Sequence, residues 1–152
     1  MNTGRFAEAA AILETIEALP FEGASEIHSL FARTHIQLGV EKMRRMDWAG
    51  AAAELERSKE YPEKLGSGKP FDPDVRLHDY LLGLVYGKLG EKEKAEAAFR
   101  SVVDFTLKFP ESRGTGAHFG ALALRRAGRA AQAAEIMKAA SPPAKDILDL
   151  IR

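Results

Sequence analysis

Four histidines, His28, His35, His78 and His118, are the side chains best suited to metal ligation or proton transfer near neutral pH. His28 and His35 stand seven positions apart on one helical stretch, about two turns, so they can share a face. Helix-borne ligand pairs are spaced by four, however, and no carboxylate completes a site at a suitable offset. His78 and Asp79 are direct neighbours, which a helix points apart. The carboxylates Glu54 and Glu56, and Glu91, Glu93 and Glu96, alternate with lysines and arginines in the manner of solvated helix surfaces. In GSGKP, Lys69 follows glycines but lacks both the leading glycine spacing and the trailing Ser or Thr of a phosphate-binding loop. Met43, Met46 and Met137 fall at helical spacing and read as core filler. The expectation is a chain without catalysis of its own, without a metal and without a cofactor.

Composition narrows the partners. Twenty-two basic and 22 acidic side chains cancel, so no long-range field draws the chain to nucleic acid or to an anionic membrane. Hydrophobic residues make up 45% of 152, enough for a buried core. No apolar run approaches the roughly 20 residues that span a bilayer. The absence of cysteine removes disulfides and thiolate chemistry and suits a reducing, cytoplasmic setting. The opening MNTGRFAEAAAIL carries Glu8 and enters helical periodicity at once, so it reads as mature structure rather than a signal peptide.

The elements that carry these residues are helices. Apolar residues recur three and four apart in GRFAEAAAILETIEAL, SEIHSLFARTHIQLGVEKM, WAGAAAELERS, VRLHDYLLGLVYGKLG, EKAEAAFRSVVDFTLKF and GRAAQAAEIMKAA, and no stretch keeps strand alternation. Breaks fall at Pro20 to Gly23, Met46 and Asp47, Glu60 to Asp74, Gly90, Pro110 to Gly116, Gly128, and Pro142 with Pro143. About seven helices and a short C-terminal one follow, an all-α chain.

One pattern repeats. Leu82, Gly83, Tyr86, Gly90, Ala95, Phe99 and Pro110 alternate small and large residues at fixed offsets, and LLGLVYGKLGEKEKAEAAF resembles the tetratricopeptide (TPR) repeat. Gly83 and Ala95 stand where two helix backbones approach closely, while Leu82, Tyr86 and Phe99 fill the space around them. Gly90 ends the first helix in a left-handed turn. The pattern returns at Ala121, Leu124, Gly128, Ala133 and Met137, and at Leu38, Gly39, Asp47, Ala51 and Leu55, where Lys42 replaces the tyrosine and no turn glycine is present. Gly4, Ala9, Leu13 and Ile16 match only the second half of a repeat, so the chain is expected to begin mid-repeat, as the C-terminal piece of a longer protein. The resemblance implies a single domain over 1–152, a right-handed superhelix of about 3.5 repeats: a half repeat at 4–20, repeats at 24–60, 75–109 and 112–140, and a capping helix at 142–151, with Ser141 as its cap.

Ala51 and Ala95 are 44 positions apart, about ten more than the ~34 of this repeat. The surplus is EYPEKLGSGKPFDPD, an inserted loop over 60–74 with Tyr61, Leu65 and Phe71 as apolar anchors, Lys69 beside them, and Asp72 or Asp74 to cap the next helix. This segment resembles the one between TPR hairpins of large bacterial proteins with an uncharacterised N-terminal domain, often found in carbohydrate-using bacteria. The family's first helices line a concave groove. Alignment places Arg33, Ile36, Val40 and Arg44, then Leu77, Tyr80, Leu84 and Lys88, then His118, Leu122 and Arg125 along it. Its basic lean suits an acidic protein or peptide, or the N-terminal domain of the same protein, with neither nucleic acid nor membrane as partner. Two other roles stay open: an accessory domain of a carbohydrate-active enzyme, and a small-molecule sensor.

Overall fold

Regular structure in a computed structural model of the chain, which describes residues 3–18 and 24–151, is helical. The elements are α1 (Thr3–Thr15), α2 (Ala24–Arg44), α3 (Trp48–Arg57), a 3-10 turn (Glu63–Leu65), α4 (Arg76–Leu89), α5 (Lys92–Lys108), α6 (Gly114–Arg126), α7 (Ala130–Lys138) and α8 (Lys145–Ile151). The all-α expectation is met. The start at Met1 and the break at Pro20 to Gly23 lie outside the described residues. The chain divides into two compact units, Met1–Pro73 and Asp74–Arg152, with the boundary inside the inserted loop.

Three helical hairpins, α2 with α3, α4 with α5 and α6 with α7, turn in the same way. Met46, Gly90 and Gly128 hold φ of 61°, 80° and 75°. Immediately after them, Asp47, Glu91 and Arg129 donate their backbone N–H groups to the carbonyls of Lys42, Tyr86 and Leu124, each at 2.9 Å. This closes the first helix with a left-handed residue and a long-range cap bond. Four positions further on, Ala51, Ala95 and Ala133 are buried where the second helix meets the first. A Cβ on Gly83 would stand 2.7 Å from the Phe99 ring, and one on Gly39 would stand 2.9 Å from Leu55 Cγ. Both glycines therefore serve close helix approach.

In the first unit, Leu13 of α1 packs with Phe31 of α2 and Leu65 of the 3-10 turn, with Ile16 and Ile27 alongside. Thus Leu13 and Ile16, which the repeat pattern left without a partner, are covered by α2 and by the loop. Glu14 ties α1 to Arg57 and, at 2.6 Å, to Lys64, while the Ala18 N–H reaches the Lys64 carbonyl at 2.7 Å. The loop has two parts: Tyr61 to Leu65 lie against α1 and α2, whereas Gly68 to Phe71 are exposed.

In the second unit, α6 packs on both α4 and α5, and Ala121, Leu124 and Ala133 form a core with Val103, Ile136 and Met137. Asp74 bonds the entry to α4: its carboxylate accepts from the Arg76 backbone N–H at 3.2 Å and from the guanidinium at 2.7 and 2.9 Å. Arg76 is 1% exposed, and it also reaches Ser112 at 2.9 Å and lies 5.1 Å from the Phe105 ring centroid. One buried side chain thereby joins α4, α5 and the turn before α6. The C-terminal helix begins at Lys145 rather than at 142, and ahead of it the Ser141 backbone N–H bonds the Gly114 carbonyl at 3.0 Å.

Candidate interaction surface

The residues expected along the groove divide between surface and interior. In the first unit Arg33 and Arg44 are exposed, but Ile36 and Val40 are buried. In the second unit Lys88 and Arg125 are exposed, and Leu77, Leu84, His118 and Leu122 are half-buried. Tyr80 lies in the core at 5% exposure, with its ring 5.4 Å from Phe99 and 5.3 Å from Phe119, so it offers no contact to a ligand. The turn of α4 that carries it faces α5 and α6 together, a property of the packing of a third helix that one repeat does not encode. Burial pushes the Tyr80 hydroxyl up, against the opposing charge of Arg126. His118 meets Phe119 edge-on at 5.8 Å, and burial together with the Arg125 charge holds it below its ordinary value, so it is neutral at pH 7.

Loop residues separate in the same way. Tyr61 stacks on His28 at 3.7 Å and 11°, His28 Nε2 bonds the Glu60 carbonyl at 3.0 Å, and Leu65 is fully buried. Lys69 is exposed, and Phe71, at 97% exposure, anchors nothing. Among the repeat-packing residues Leu82 and Ala133 are buried, Tyr86 is half-buried with Lys94 Nζ 5.2 Å from its ring, and Phe99 is half-buried.

Sequence reasoning missed two arrangements. In the first unit His35 Nδ1 lies 2.7 Å from Glu54 Oε2, and Lys42 Nζ donates to Glu54 Oε1 at 2.8 Å. Burial raises the Glu54 carboxyl, but these hydrogen bonds outweigh it and hold the group below its ordinary value. A carboxylate orienting a histidine suggests acid–base chemistry, but His35 is 3% exposed, its Nε2 is enclosed, and Phe31 packs edge-on at 4.5 Å. No substrate reaches that nitrogen, and the arrangement ties α2 to α3. Lys42 in place of the expected tyrosine was the available signal.

The second arrangement is a trough in the second unit. Arg126 of α6 lays its guanidinium 4.2 Å from the centroid of the Phe99 ring. To one side is a notch of about 440 Å³ between α5 and α6, floored by Val103, Ala123 and Ala127 and edged by Arg100. To the other is one of about 400 Å³ between α4 and α5, lined by Gly83, Leu84, Gly87, Lys88 and Lys92. Phe99, Glu96 and Arg126 belong to both. The repeat pattern assigned Phe99 to packing alone, and Arg126 falls one residue past the aligned groove position.

Among the described residues no group of three or more His, Asp or Glu side chains is placed to hold a metal ion, and no helix is long and apolar enough to cross a membrane. Comparison of the chain with protein-family models, with curated proteins and with solved structures finds no match, so its functional reading rests on the geometry and charge of its own surfaces.

Proposed function

We propose that this chain is a TPR-like interaction module, a scaffold that binds a protein or peptide or docks an N-terminal domain of the same full-length cytoplasmic protein, with no catalysis of its own. The observation that carries this reading is the pairing of surfaces on α4 and α6. These neighbouring first helices of two successive hairpins present half-buried Leu84 and Leu122 beside exposed Lys88 and Arg125. Apolar centres flanked by charge are what protein-recognition patches use: the apolar part supplies affinity, and the cations supply orientation and exclude wrong partners. The hairpins behind them are held by close glycine and alanine contacts, so the surface is largely preformed and little ordering entropy is lost on binding.

A photo-crosslinking amino acid at position 84 or 122, in the full-length protein in its own cell, tests this. A discrete crosslinked species at either position, lost when Lys88 and Arg125 are changed to glutamate, is the expected result. Failure to crosslink any protein or any segment of the same chain at both positions would reject the interaction reading.

A further inference from the structure

We infer that the trough over Phe99 docks an extended acidic segment of a partner protein, which inserts one aromatic or large aliphatic side chain between α5 and α6. This rests on the interaction reading above but moves its centre from the α4 and α6 faces to an α5 residue and assigns the ligand's chemistry.

Charge complementarity is the first argument. Lys88, Lys92, Arg100 and Arg126 border the two notches, and Glu96 is the one carboxylate among the residues lining them. Neither Lys92 nor Arg100 has an ion-pair partner among the described residues. In a chain of zero net charge, this is a local excess that favours a polyanionic strand over a neutral one. Shape is the second argument. Two open notches meeting at one ring suit a chain that runs across both, with a side chain seated in the more apolar one, rather than a compact solute.

Gly87 is the third, independent argument. Its torsions lie outside the left-handed region, and a Cβ built on it meets nothing within 4 Å. Neither backbone strain nor packing therefore explains a glycine in the last turn of α4, three residues before its left-handed cap at Gly90, where alanine is the better helix former. Gly87 lines the trough, and there a missing side chain lets another backbone come close.

The test uses a fluorescein-labelled peptide of aspartates and glutamates around one phenylalanine, titrated against the chain by anisotropy, with amide shifts recorded by NMR. Companion peptides replace the phenylalanine with serine or the acids with lysine. Binding of the acidic phenylalanine peptide, with shifts centred on Phe99, Ala123 and Ala127, is expected. Affinity should drop about tenfold, the loss of one good ion pair, in Arg100→Glu and in Lys92→Glu. Gly87→Ala should bind more weakly while melting no lower than the parent, which separates a docking effect from damage to the fold. Equal affinity in these three variants, with shifts centred on Leu122 and Arg125, would overturn the trough while leaving the interaction reading intact. Preference for the lysine peptide would overturn the assigned chemistry alone. Full displacement of the peptide by citrate at equal carboxylate concentration would make the trough a small-anion site and overturn the docking. Binding of none of the peptides overturns the inference, and the crosslinks at positions 84 and 122 then decide the interaction reading separately.

Discussion

Met46 holds φ of 61° without being glycine, at a turn where the other two hairpins use Gly90 and Gly128. A left-handed residue with a Cβ is disfavoured by about 1–2 kcal/mol, and glycine's extra freedom in the unfolded chain offsets part of any gain. Met46→Gly should therefore raise stability by roughly 0.5–1 kcal/mol, read as a higher denaturant midpoint at unchanged m-value; a lower midpoint would mean that the methionine side chain, 74% exposed, makes contacts that matter. Gly83 and Gly87, on one helix and four positions apart, should respond with opposite signs. Gly83→Ala places a methyl 2.7 Å from the Phe99 ring and should cost about 1–3 kcal/mol by overpacking. Gly87→Ala enters open space and should gain about 0.5–1 kcal/mol from helix propensity. Gly83 was legible in the sequence, because the small residue and its large partner recur at a fixed spacing. Gly87 and Met46 were not, since the emptiness around one and the torsion of the other depend on neighbouring helices and on the turn.

At the scale of elements, the prolines and glycines of 60–74 marked an interruption, and helix periodicity located six of the described helices, α1 to α5 and α7, while α6 was placed by the repeat pattern. Which loop residues face inward was not legible, because that depends on the side from which the backbone returns to α1 and α2. Leu65 and Phe71 illustrate the point, as similar apolar residues six positions apart in one loop with opposite fates. Leu65 is fully buried against Leu13 and Phe31, so Leu65→Ala should cost about 2–5 kcal/mol through the cavity it leaves. Phe71→Ala should shift stability by no more than about 0.5 kcal/mol. Urea denaturation of the two variants decides this, and equal losses would mean that the exposed half of the loop also packs. The start of α8 was mislocated for a related reason. Ser141 with Pro142 has the composition of a helix start, yet 141–144 stay outside the helix, and Ser141 instead makes a long-range bond to Gly114 that no local pattern announces.

Over the whole molecule, zero net charge conceals a set of groups whose ionisation is coupled to folding with one sign. Burial and then the Arg125 charge depress His118 below its ordinary 6.5, so the unfolded chain takes up that proton first. Stability falls as the pH drops through this value, until the folded histidine is protonated too. Burial raises Glu54 and Asp74, but the hydrogen bonds of Lys42 and His35 to the one, and of Arg76 to the other, leave both below their ordinary 4.5 and 3.8. A carboxylate with its folded value lowered contributes stability that is complete above its ordinary value and is lost as the pH falls through the folded one. Melting temperature measured from neutral pH downward should therefore decline in two stages, a shallow one beginning near 6.5 and a steeper one below about 4.5. The stages belong to different residues. His118→Gln should remove the first and keep the second, whereas Glu54→Gln should lower stability at neutral pH, where the carboxylate bonds Lys42 and His35 in full, and flatten the second. A first stage that persists without His118 would place the titrating group elsewhere, and an acid limb unchanged by Glu54→Gln would mean that the Glu54 hydrogen bonds are no stronger in the folded chain than those water makes in the unfolded one.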